Sequence, residues 1–126
     1  MAVKEKYTLE YIMRTSERAL VNCLSTPSGL SEWFADDVNV KKDVYTFVWD
    51  GSEESAKLVH LRNNSIRFQW LNDEGTQCYF EFSYRVDPLT QDIVFFVTDH
   101  AEADEIEESK LLWDSQVNEL RKKLGA

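Results

Sequence analysis

Cysteine, proline and glycine are all scarce in this chain, at two, two and four of 126 residues. Cys23 and Cys78 allow one disulfide at most and make no metal-type spacing. Their apolar surroundings read instead as buried, reduced thiols. So few prolines and glycines leave no room for an interdomain linker, and no Gly-rich loop is present to cradle a phosphate. Long apolar runs are missing too, which excludes a membrane-spanning helix. The opening "MAVKEKYTLEY" lacks the apolar centre of a signal peptide, so the expected location is the cytoplasm, without membrane insertion. Positive charge is the last shortage: 14 Lys and Arg stand against 23 Asp and Glu, a formal net charge of −9. A nucleic-acid partner is excluded on that ground, because clustered cations would have to neutralise its phosphates. The one compact basic group, "RKK" at 121–123, falls where cations complement a helix C-terminus.

What the chain does have is rings. Seven Phe, five Tyr and four Trp make up 13% of it, within an apolar share of 43%. A chain of 126 residues is long enough to bury a core as one domain. "KYTLEYIM" alternates, with Tyr7, Leu9, Tyr11 and Met13 on one face, and reads as a strand. "TSERALVNCL" switches to helical spacing, capped by Thr15 or Ser16. Pro27 ends that helix and starts a shorter one, with Thr26 as its N-cap. About six antiparallel strands come next. "VNVKK" reads as a short edge strand. "VYTFVWDG" places Tyr45, Phe47 and Trp49 on one face before a turn at Asp50-Gly51. "SAKLVHL" places Ala56, Leu58 and His60 together, "IRFQW" Ile66, Phe68 and Trp70, and "CYFEFSYRV" Cys78, Phe80, Phe82 and Tyr84. "DIVFFVTD" is apolar on both faces, so its parity stays open. From Glu105 to Leu124 a helix is expected, with Trp113, Val117, Leu120 and Leu124 as its apolar stripe. One long helix against one ring-rich face implies a strongly curved antiparallel sheet wrapped around it. A single helix cannot fill the concave side of seven strands, so a gap between the two is expected.

The stretch "YTLEYIMRTSERALVNCLSTPSGLSEWFADDV" resembles the opening of START-like, helix-grip proteins, above all the Aha-type branch related to the activator of the heat-shock ATPase chaperone. Thr26, Pro27, Leu30, Trp33 and Phe34 stand at that branch's "T-P-x-x-L-x-x-W" turn and aromatic pair. "LLWDSQVNELRKKLG" is similar to its closing helix. Ala35 and Asp36-Asp37 depart from the Gly-Pro type turn found after the pair in that branch. The resemblance spans almost the whole chain. It implies an α+β helix-grip fold: about seven curved antiparallel strands around a long C-terminal helix, two short helices after the first strand, and a cavity between sheet and helix. It does not imply one chemistry, since such proteins include lipid and hormone carriers, cyclases and chaperone partners.

Two uses of the rings compete. Trp33, Phe34, Tyr45, Phe47, Trp49, Phe68, Trp70, Phe80, Phe82, Tyr84 and Trp113 either fill the core or wall a cavity for an apolar or planar ligand. In the second case Trp33 and Phe34 close one end of the cavity, and His60 and Gln116 offer polar atoms to it. His100 falls in an acidic stretch, "TDHAEADE", expected as a loop at the mouth. Asp99, His100, Glu102 and Asp104 match no established metal spacing, and neither metal nor cofactor is expected. Asp36 and Asp37 are adjacent, so at most one faces inward; a turn role is expected. No Ser-His-Asp, Cys-His or G-x-S-x-G arrangement is present. Three functions remain, in this order. The first is noncatalytic binding of a small hydrophobic molecule. The second is a protein-interaction module or homodimer using outward residues such as Val44 or Val48, Val59 and Tyr79. The third is a cyclase- or dehydratase-like enzyme, which needs converging polar groups inside the cavity.

Overall fold

The computed structural model describes residues 3–126. The chain runs β1 (Lys4–Met13), α1 (Glu17–Ser25), α2 (Pro27–Leu30), then β2 (Asp37–Lys41), β3 (Val44–Trp49), β4 (Ser52–Arg62), β5 (Ser65–Trp70), β6 (Phe80–Val86) and β7 (Ile93–Glu102), and closes with α3 (Ile106–Leu124). The seven strands form one antiparallel sheet in the order β1-β7-β6-β5-β4-β3-β2. Chain reversal at each hairpin makes β2 to β7 sequential neighbours, and β1 closes the far side against β7. This is the α+β helix-grip architecture expected from the sequence.

Local chemistry explains the element boundaries. Ser16 caps α1, its hydroxyl accepting from the Ala19 amide at 3.1 Å. Thr26 caps α2 by accepting from Gly29 at 2.9 Å, while its own hydroxyl donates back to the Asn22 carbonyl at 2.8 Å. The two short helices are thereby locked at a sharp break, with Pro27 at the first turn. The Asp50-Gly51 turn between β3 and β4 has positive φ at both residues, 49° and 84°, as a tight type I′ hairpin demands. Gly125 ends α3 in the left-handed region at φ 67°, its amide bonding the last-turn carbonyls.

The concave face carries the core. Phe47, Phe68, Phe80, Phe82 and Phe95 are fully buried, and Leu20, Leu30, Val117 and Leu120 meet them from the helices. Edge-to-face and stacked ring pairs run through this cluster, such as Phe68 on Phe80 at 5.1 Å and Phe47 on Phe68 at 5.9 Å. Cys23 lies in the same cluster, whereas Cys78 is only half-buried; both are free thiols.

Two sequence expectations change. The stretch expected as a loop at the mouth is strand: β7 continues through Asp99 and His100 to Glu102. The cause is the length of β1, whose Lys4, Glu5 and Lys6 pair with Glu102, Ala101 and His100. The second change is in β4. Leu58 pairs with Phe68, but His60 pairs with Arg67, which leaves Val59 as an extra residue. Such a bulge reverses the parity of the rest of the strand, so His60 leaves the face of Ala56 and Leu58 and turns to the convex side. The turn role expected of Asp36 and Asp37 holds for Asp36, which is exposed and accepts from the Asp50 amide at 2.7 Å; Asp37, also exposed, opens β2 and accepts from the Val38 amide at 2.9 Å.

The convex face is polar. Glu81 accepts from Arg67 Nε at 2.9 Å and lies 3.0 Å from His60 Nε2. The Arg67 guanidinium covers the Tyr79 ring at 3.8 Å. Thr8 and Thr98 hydroxyls meet at 3.2 Å across the β1–β7 pair. The two-sided apolar character of β7 is explained here: Val94 and Thr98 face outward yet are buried beneath side chains of the flanking strands.

Candidate functional site

The cleft lies between the far end of the sheet and α3. Its walls are inward residues of four strands: Trp49 on β3, Glu54 on β4, Trp70 on β5 and Asp99 on β7. Ser109, Leu112, Trp113 and Gln116 face them from α3, and Phe34 supplies the floor. The helix residues share one face because positions three and four apart stack on a helix. The cleft measures about 440 Å³, within the range of small-molecule sites.

Ring geometry sets its shape. Phe34 stacks on Trp113 at 5.7 Å and 14° and meets Trp49 edge-on at 5.2 Å. Trp49 and Trp70 lie 6.0 Å apart. The Phe34 carbonyl accepts from Trp49 Nε1 at 2.6 Å and from Gln116 Nε2 at 3.1 Å, tying the turn after α2 to both walls.

Asp99 is the charged centre. Its Oδ2 accepts from Trp113 Nε1 at 2.9 Å and from the Tyr7 hydroxyl at 3.3 Å, and its Oδ1 from the His100 amide at 2.8 Å. Burial pushes the carboxyl above its ordinary value of 3.8, and these three donors oppose that shift. Burial also raises the Tyr7 phenol to about 12, with the Asp99 charge adding to the effect. Tyr7 therefore stays protonated and donating.

The residues singled out from the sequence separate into groups. Phe34, Trp49, Trp70, Trp113 and Gln116 come together in the cleft. Phe47, Phe68, Phe80 and Phe82 lie beneath it as solid core. Trp33 is also core: it donates to the Cys23 carbonyl at 2.8 Å and packs on Phe82 at 5.3 Å. Trp33 and Phe34 touch each other at 5.5 Å but serve different layers, so they form no joint lid. Tyr84 stands away from the cleft, near α1, its hydroxyl donating to Glu17 at 3.1 Å. His60 is excluded from the site by the bulge, and His100 points outward, its Nδ1 2.8 Å from the Tyr79 carbonyl oxygen. Asp99 and His100 thus face opposite ways and cannot share a ligand.

Four lining residues escaped the sequence reading. Glu54 was legible by parity, two residues before Ala56 on the inward face of β4. Ser109 and Leu112 were legible by helical spacing from Trp113 and Gln116. Asp99 was not, since the apolar pattern of β7 gave no sign of which face is inside.

A curved seven-stranded sheet closed around a C-terminal helix, with a ring-lined cleft between them, defines the helix-grip class. The START-like superfamily domain matches residues 1–126, and the chain belongs to that superfamily. The solution structure of BfR322 from Bacteroides fragilis is 43% identical, with a TM-score of 0.69 over 98% of this chain and 92% of that one. The Aha1 dimer from Colwellia psychrerythraea shares the fold at 15% identity, TM-score 0.79, over 95% and 96% of the two chains. DynU16, a protein of the dynemicin biosynthetic locus, shares it at 14% identity, TM-score 0.77, over 96% of this chain and 47% of that one. No curated protein matches. Among the described residues, no helix is long and apolar enough to cross a membrane.

Proposed function

We propose that this protein binds one small, largely apolar, ring-compatible molecule in the cleft between the sheet and α3, without transforming it. The observation that carries this reading is the division of labour among the rings. Phenylalanines fill the core completely, whereas Trp49, Trp70 and Trp113 border a space of about 440 Å³ that the core does not fill. A few polar groups, from Glu54, Asp99, Gln116 and Ser109, break an otherwise apolar wall, as sites that orient a ligand do.

Docking of a second chain on the outer sheet draws less support. That face carries Arg67, Glu81, His60 and His100, and the exposed apolar residues Ile12 and Val59 belong to strands four positions apart in the sheet.

Native mass spectrometry of the protein purified from cells, followed by organic extraction, tests the proposal. The expected result is a stoichiometric low-mass adduct that extraction releases. Ser109→Trp, which fills the cleft from α3, should abolish the adduct while leaving the melting transition in place. An adduct retained by the filled variant would place the ligand elsewhere and refute the reading.

A further inference from the structure

The cleft is one-sided in charge. Its ionisable side chains are two carboxylates, Asp99 and Glu54, and no Lys, Arg or His lines it. Among the described residues neither acid is in an ion pair. They stand on β7 and β4, with the β5 residue Trp70 between them.

The remaining polar atoms lean the same way. Two of the three lining indole N–H groups are already spent: Trp49 on the Phe34 carbonyl and Trp113 on Asp99. Those rings can offer a ligand their faces but not their donors. Gln116 turns its amide nitrogen to the Phe34 carbonyl as well. Apart from the Trp70 indole N–H and the Ser109 hydroxyl, a guest therefore meets π faces and acceptor oxygens. Indole has the strongest π face toward a cation among the protein side chains, and a desolvated carboxylate strengthens the attraction.

From this we infer that the natural ligand is an organic cation, an ammonium or quaternary nitrogen carried on an apolar or ring-bearing body. The inference rests on the proposal that the cleft is the binding site, and it adds the ligand's charge. Glu54, on the exposed side, draws the cation to the mouth. Asp99, fixed by Trp113, Tyr7 and the His100 amide, meets it inside. The burial that disfavours the Asp99 anion is offset once a cation lies beside it. An anionic ligand would face both carboxylates, and a neutral one would leave them unmatched.

Three probes with one ring system separate the possibilities at neutral pH: 2-naphthylmethylamine, which is an ammonium ion, neutral 2-naphthalenemethanol, and anionic 2-naphthoate. Each is titrated into nitrogen-15-labelled protein while the indole N–H signals of the tryptophans are followed by NMR. The expected result is ammonium binding at least about tenfold tighter than the alcohol, seen at Trp49, Trp70 and Trp113, with no binding of naphthoate. Glu54→Gln, an exposed substitution that leaves the fold intact, should weaken the ammonium at least about threefold and leave the alcohol unchanged. Asp99→Asn should weaken it further. Equal binding of amine and alcohol, or a preference for amine that survives both substitutions, would overturn the charge inference while the cleft remains a binding site. Binding by none of the three, with the tryptophan signals unmoved, would overturn both.

Discussion

Trp49 and Gln116 stand on opposite walls of the cleft, one on β3 and one on α3, and donate to the same oxygen, the Phe34 carbonyl, at 2.6 and 3.1 Å. One backbone acceptor thus joins sheet, short-helix turn and long helix, and fixes the width of the opening.

This shared acceptor should make the two residues non-additive. Trp49→Phe and Gln116→Leu each remove one donor, and each should cost about 0.5–1.5 kcal/mol by urea denaturation. The double variant leaves the Phe34 carbonyl without a partner, so it should cost more than the two single changes combined. Simple additivity in the double-mutant cycle would show that the carbonyl is not a joint.

Phe34→Ala should be among the costliest ring deletions, about 3–5 kcal/mol. Phe34 lies within 5.7 Å of Phe47, Trp49, Phe80, Phe82 and Trp113, so its loss removes contacts on every side. A loss below about 1 kcal/mol, read from chemical denaturation, would mean that the floor collapses to refill the space.

Gly29→Ala tests the break between α1 and α2. A Cβ built there collides with the Asn22 carbonyl oxygen and crowds Thr26 Oγ1. Backbone cannot move aside as a flexible side chain would, so the variant should lose several kcal/mol, about 3 or more, or fail to fold. Wild-type-like thermal unfolding would contradict the close approach.

Asp99 sets a pH dependence with a defined sign. Its folded value is raised above 3.8 by burial, so the folded state binds its proton more tightly than the unfolded chain does. Stability from this group is fully present below the ordinary aspartate range and is lost as pH rises through it to the raised value. Relative to Asp99→Asn, the native protein should therefore weaken as pH climbs from about 3.5 toward neutrality. Parallel denaturation midpoints for the two proteins over that range would refute the shift.

His60→Ala should leave ligand binding unchanged, because the bulge at Val59 sends the imidazole to the convex face beside Glu81. Arg67 still holds Glu81, so the stability cost should stay within about 1 kcal/mol. Loss of the bound ligand, by native mass spectrometry, would place His60 back inside.

Local patterns settled much of this protein. Alternation in "VYTFVW" and "IRFQW", the Ser16 and Thr26 caps, the Asp50-Gly51 turn and the Trp113-Val117-Leu120 stripe each involve neighbours a few residues apart. Their outcome is set by backbone sterics and side-chain spacing, which the sequence carries by itself. Several site assignments depended on distant partners. Whether His100 belongs to strand or loop was decided by Lys4 to Lys6 pairing across the sheet with His100 to Glu102, and the direction of His60 by one unpaired residue in β4. Ring identity alone could not separate Phe68, sealed in the core, from Trp70, two residues on at the cleft. Both point inward by the same period, and only the curvature of the sheet and the line of α3 across it determine where the interior is filled and where it stays open.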